Sequence, residues 1–282
     1  MEAWEPEVWR ARAAAHRERV EQWTGPYLRR RERGEAHPVE DFLFTYYSCR
    51  PGRLVQWHPG AGVVLLGARG YGRDYRDTAD GAVLDTSALL ERRRASVAWI
   101  GRLLAATASR PAHLGCFGLH EWAMVYRTPH VRHEAWPLRL PPDAVAAVVD
   151  ERGVRCSHFD AFRFFTDAAR PLNVLQPSRD TQHDLEQPGC LHANMDLYKW
   201  AYKLSPLIPS DLVADCFALA RDIRAVDMRA SPYDLAALGY PPIRIETPSG
   251  RAEYAAEQRA FTDRATPLRA RLYTACEALL RG

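Results

Sequence analysis

Four pairs of residues in this chain have types and spacings suited to chemistry. His158 with Asp160, His192 with Asp196 and His120 with Glu121 each join an imidazole to a carboxylate, and Asp215 and Asp222 stand seven positions apart. On a helix, residues four or seven apart share a face. His192 and Asp196 therefore project together, and Asp215 and Asp222 roughly so. Imidazoles and carboxylates on facing helices are how di-iron bundle proteins hold their ions. Read this way, His120, Glu121, His158, Asp160, His192, Asp196, Asp215 and Asp222 predict a metal-dependent, di-iron-like helical oxidoreductase carrying iron, manganese or zinc. The E-x-x-H pairs of such bundles are missing, since Gly189 stands three residues after Glu186. His120-Glu121 does not open an HExxH motif either, because residue 124 is Met.

Two of these pairs lie in the stretch 156–203, which mixes charged and large apolar residues more densely than any other. It holds Phe159, Phe162, Phe164, Phe165, Met195, Leu197, Tyr198 and Trp200 beside His158, Asp160, Arg163, His192, Asn194 and Asp196. Polar groups packed among such side chains need partners or a metal. A site satisfies that demand, and so does a polar network that only fixes helix packing. In the second case the chain is a non-catalytic module binding nucleic acid or protein. Smaller polar-aromatic patches occur at 37–60, with Tyr46, Tyr47 and Trp57, and at 116–127, with Trp122. His130, His133 and Glu134 add a further polar group before Trp136.

The elements that must position these residues are mostly helices. Apolar positions three or four apart predict a long helix over 4–33, with Gly25-Pro26 as a point of breakage. Shorter helices are predicted over 39–48 and 116–127, and longer ones over 87–109, 191–204, 210–228 and 253–279, the last interrupted near Pro267. GVVLL at 62–66 is the clearest strand, and Ile243-Arg244-Ile245 is a second short one. Residues 67–81 are glycine-rich without a nucleotide-binding fingerprint, and predict an exposed loop or small hairpin. The expected fold is mainly α, a single compact helical domain over 1–282 with a small β element and no helix-hairpin-helix signature.

Bulk composition narrows the classes. The 282 residues suffice for a full core. Thirty-eight Lys and Arg against 35 Asp and Glu leave a formal charge of +3, too small to diagnose nucleic-acid binding. Lysine occurs only at Lys199 and Lys203, so the cations are nearly all Arg. The six cysteines form no CxxC pair, which argues against zinc-finger or compact iron-sulfur sites and for reduced thiols. There is no apolar run of membrane-spanning length and no basic-apolar leader, so a cytoplasmic location is expected, with no membrane partner.

Several phrases resemble a group of actinobacterial proteins identified as 3-methyladenine DNA glycosylases. They are HPVEDFLFTYYS at 37–48, WHPG at 57–60, HFDAFRFF at 158–165, EQPGCLHANMDLYKWAYKL at 186–204 and DMRASPYDL at 227–235. The resemblance runs from about residue 5 to about residue 275. It implies hydrolysis of the N-glycosidic bond of an alkylated purine in double-stranded DNA, with no cofactor. Such an enzyme extracts the base into an aromatic pocket, steadies the cationic sugar with a carboxylate, and contacts phosphates. On that reading Tyr46, Tyr47, Trp57, Trp122 and Phe159 form the aromatic wall. Asp160 or Glu121 is the catalytic carboxylate, His158 positions water, and Arg163, Arg170 and Arg179 reach the phosphates.

Overall fold

A computed structural model describes residues 1–129, 131 and 135–282, so His130, His133 and Glu134 lie outside the described residues. Of the described residues 57% are helical and 6% lie in strands, the mainly helical fold with a small β element that its periodicity predicts. The chain's contacts group it into two compact units. The first contains residues 1–104, 197–218 and 268–282, and the second contains 105–196 and 219–267.

The first unit opens with strand β1 (Glu2–Trp4) and helix α1 (Pro6–Glu32). Pro6 suits the first helical turn, where no amide partner is lost, and Arg29, Arg30 and Arg31 suit the negative end of the dipole. Pro26 lies inside α1 and does not break it. Trp23, before the proline, packs on Phe217, and Tyr27, after it, stacks on Phe44. Contacts on both sides thus outweigh one missing hydrogen bond. Short helices α2 (Phe42–Tyr46) and α3 (Pro51–Val55) follow. Then come β2 (Val63–Leu66), β3 (Tyr75–Asp77) and β4 (Gly81–Leu84), so the glycine-rich segment is a hairpin. The open sheet has order β1-β2-β4-β3, parallel only at β1-β2. Trp57, Val63, Leu65, Ala68 and Ala82 form a core against it, with Trp4 and Trp9 packed on.

Helices α4 (Thr86–Ala108), α9 (Leu191–Leu204), α10 (Ser210–Ala230) and α11 (Pro248–Arg281) each contribute residues to both units. Pro267 lies within α11 and does not interrupt it. The second unit also contains α5 (Leu119–Ala123), α6 (Pro142–Arg152), α7 (Phe159–Phe162) and α8 (Gln182–Leu185). Helix α5 is shorter than the predicted 116–127 because Phe117, Gly118 and Arg127 adopt positive φ. The expected strand at 243–245 is a turn: Ile243 donates its amide to Arg229, and Ile245 donates to Ile243. Ile243 and Ile245 are buried while Arg244 faces out, so the period of two is real without a neighbouring strand.

Candidate metal centre

Within the second unit, six acidic and imidazole side chains gather into two adjoining buried groups. His158, Glu186 and Asp196 form one, and His120, His192 and Asp227 form the other. The donor atoms of each group lie within 4.8 Å of one another, and both groups can chelate a metal. They come from five places in the chain. His120 is on α5, His158 caps α7, Glu186 ends α8, His192 and Asp196 lie one turn apart on α9, and Asp227 is on α10.

Local structure aims each donor. The Nδ1 atom of His158 accepts the Ala161 amide at 3.2 Å, which turns Nε2 inward. That nitrogen stands 3.5 Å from Glu186 Oε1 and 3.4 Å from Asp196 Oδ2, and the three side chains are 2% exposed or less. Gln182 donates to Glu186 Oε1 at 2.6 Å and fixes that carboxylate. Ahead of α9, Gln187 Oε1 accepts the amides of Gly189 at 2.7 Å and His113 at 2.9 Å. Asn194 donates to the Pro188 carbonyl at 2.9 Å. These bonds anchor the helix start that carries His192 and Asp196. The spacing suits an ion better than a hydrogen bond, whose heavy atoms usually lie 2.7–3.2 Å apart. Ligands about 2.1 Å from a tetrahedral ion stand roughly 3.4 Å from one another.

The second group is already paired. The His120 ring donates from Nε2 to Asp227 Oδ1 at 2.8 Å, and Arg224 Nη1 donates to Asp227 Oδ2 and to Glu121 Oε1, each at 3.0 Å. Burial opposes a charge on His120, yet Asp227 overcomes it and holds the imidazolium well above the ordinary histidine range. Burial likewise opposes ionisation of Asp227, and the charges on His120 and Arg224 outweigh it, so the carboxyl lies below its ordinary range. His192 sits between the groups, its ring centre 4.4 Å from that of His120 and 5.3 Å from that of His158. Burial, reinforced by the charge on His120, holds His192 well below the ordinary range and therefore neutral. A cavity of about 310 Å³ opens beside His120 and His192, and Cys116, Cys156 and Cys190 line it too. Burial pushes the Cys156 thiol up to about 11 and the Cys190 thiol well above its ordinary value.

Of the eight residues expected to hold metal, the structure gathers His120, His158, His192 and Asp196. Glu121 instead serves Arg224, and Asp160 faces Arg163 at 3.3 Å. Asp215 accepts from Arg19 at 2.8 Å and Arg271 at 2.9 Å in the first unit, while Asp222 pairs with Arg264 at 2.5 Å in the second. That carboxylate pair is divided, each member neutralised by its own arginines. The expected aromatic wall is also dispersed. In the first unit Tyr46 stacks on Phe42, Tyr47 meets Tyr198 edge-on, and Trp57 is buried in the sheet core. In the second, Trp122 is fully buried and donates to the Ala230 carbonyl at 2.9 Å. Phe159 lies under Arg179, Phe164 under Arg163 and Phe162 under Arg170, at 4.4–5.8 Å.

Glu186, Asp227 and Arg224 were not singled out by sequence. Arg224 and Asp227 left a signal: two charges one turn apart beside Ile223 and Val226, on a helix whose neighbours are apolar. Glu186 left none, because a carboxylate before a Gln-Pro-Gly turn is ordinary. No protein-family model, no curated protein and no solved structure is matched by the chain.

Proposed function

We propose that the protein is a metal-dependent helical enzyme holding one ion between His158, Glu186 and Asp196. The observation that carries this reading is the donor spacing of 3.4 and 3.5 Å among side chains closed to solvent. One imidazole and two carboxylates favour iron or manganese over softer ions, with zinc as the third choice. A redox ion in that position supplies oxidoreductase chemistry, and the neutral His192 beside it offers a further nitrogen. The test is elemental analysis of freshly purified protein, before and after chelation. Stoichiometric metal in the natural protein, and its loss in Asp196→Asn and Glu186→Gln, is the expected result. Folded protein that takes up no iron, manganese or zinc overturns the reading.

Base excision from alkylated duplex DNA is the second reading, favoured by the strip of Arg163, Arg170 and Arg179 over phenylalanine faces in the second unit. Release of 3-methyladenine from alkylated DNA, compared with Asp160→Asn and Glu121→Gln, tests it. No release by metal-free or metal-loaded protein removes it.

A further inference from the structure

The cavity of about 310 Å³ is walled by segments that lead inward to the donors of the ion site. Arg155 is exposed, Ser157 is 8% exposed, and the next residue is the buried donor His158. Asp184 is likewise exposed, and Glu186, two positions on, is buried. His192 stands on the wall, with Asp196 one turn further along α9. The space therefore runs from solvent to His192, whose ring centre is 5.3 Å from that of His158. The three ion donors stand one layer behind this wall. A volume of this size lies at the small end of ligand pockets.

The wall changes character along that path. At the rim, Arg155 pairs with no carboxylate among the described residues. Arg110 directs its donors to the carbonyls of Ala106, His183 and Glu186. Carbonyls accept hydrogen bonds without cancelling the charge, so two arginines stand against one carboxylate, Asp184, and the rim favours a monoanion. The half-buried Leu114, Leu175 and Leu185 come next and are apolar. The inner end is polar again. Ser157 is buried there, and its hydroxyl makes no hydrogen bond among the described residues. Leaving a buried hydroxyl without a partner is costly, and a ligand that reaches the floor supplies one.

We infer that the cavity binds a small carboxylic acid carrying a hydroxyl at its far end. The carboxylate meets Arg155 at the rim, the hydrocarbon body lies against the leucines, and the hydroxyl reaches Ser157 and the His192 imidazole. A guanidinium can hold both oxygens of a carboxylate at once, which sets the acid's direction as well as its charge. In this pose the hydroxyl end is the one next to the ion site. That the acid is the substrate of the ion rests on the metal reading above. Its capture by the cavity does not, because none of the residues that hold it is His158, Glu186 or Asp196.

The test is calorimetric titration of the whole protein, chelated and manganese-loaded, with 4-hydroxyphenylacetate, phenylacetate and tyramine. The first should bind about tenfold tighter than either of the others. Arg155→Gln, a change at an exposed side chain, should weaken 4-hydroxyphenylacetate by about tenfold. Ser157→Ala should leave phenylacetate unaffected and erase the advantage of the hydroxyl. In manganese-loaded protein, proton spectra of the acid should show the ring protons beside the hydroxyl broadened more than the methylene protons. No binding by chelated or loaded protein, tighter binding of tyramine, or an unchanged affinity in Arg155→Gln overturns the proposal. Stronger broadening of the methylene protons overturns the pose. Protein that binds the acid as expected when chelated, yet takes up no manganese, ends the metal reading and leaves the cavity assignment standing.

Discussion

At the scale of single residues, the second unit is organised by charges that water cannot reach. Arg224 is 1% exposed and is shared by Glu121 and Asp227. Removing one partner of such a network leaves an uncompensated buried charge, a larger effect than the net worth of the pair. Arg224→Met should therefore destabilise the protein by about 3–5 kcal/mol. Arg224→Met with Glu121→Gln should lose less, and urea unfolding of both variants checks the order. In the first unit, His58 is pushed down to about 4 by burial, against its ordinary 6.5, with Asp74, Arg53 and His16 around it and Tyr75 bonded to its ring at 3.0 Å. Since the folded ring resists protonation, the unfolded chain takes up the proton first. Stability is then complete above pH 6.5 and falls as pH drops towards 4, by on the order of 3 kcal/mol. His58→Gln should flatten that slope in unfolding measured from pH 7 to pH 4.5, and an unchanged slope refutes the assignment.

At the scale of elements, backbone conformation decides where donors point. His158 meets the carboxylates through Nε2 because its Nδ1 caps α7. An ion bound at Nε2 takes the place of a proton there, so the neutral ring must carry its hydrogen on Nδ1 and give up the Ala161 amide. Metal loading should therefore speed hydrogen exchange at Ala161, while the amides at the start of α9 become more protected. The opposite pattern at Ala161 would count against Nε2 as a ligand. Gly118 is the other element-level control. Alanine there meets a left-handed backbone as well as close neighbours, and should cost about 1–3 kcal/mol, read as a lower midpoint in thermal unfolding. Gly81 is similar in the sheet, where a Cβ would overlap the Leu65 carbonyl oxygen.

At the scale of the whole molecule, an ion that binds only the folded chain stabilises it by mass action. Manganese at a hundred times its dissociation constant should add about 2.7 kcal/mol, seen as a raised melting temperature that chelator reverses. Asp196→Asn should show no such response. The six cysteines are free thiols, so the same melting curve should be insensitive to mild reductant. Among the described residues no helix is long and apolar enough to cross a membrane.

The sequence by itself determined the longer helices, strand β2 and the crowding of polar residues around 156–203, because periodicity and composition are local properties. It also placed His192 and Asp196 on one face, since their spacing is the helix repeat. It misjudged Pro26, Pro267 and the 243–245 segment, where contacts from distant residues outweigh local preference. Only the tertiary structure decided which charges meet. Asp196 joins His158 and Glu186, Asp227 joins His120, and Asp160 and Asp222 are taken by arginines instead. Only Asp160 and Arg163 are linked by a helical spacing; the other partners are separated by up to more than a hundred positions, and no spacing rule links them. Burial then decides what each group can do, because only side chains removed from water must be paired, protonated or bound to an ion.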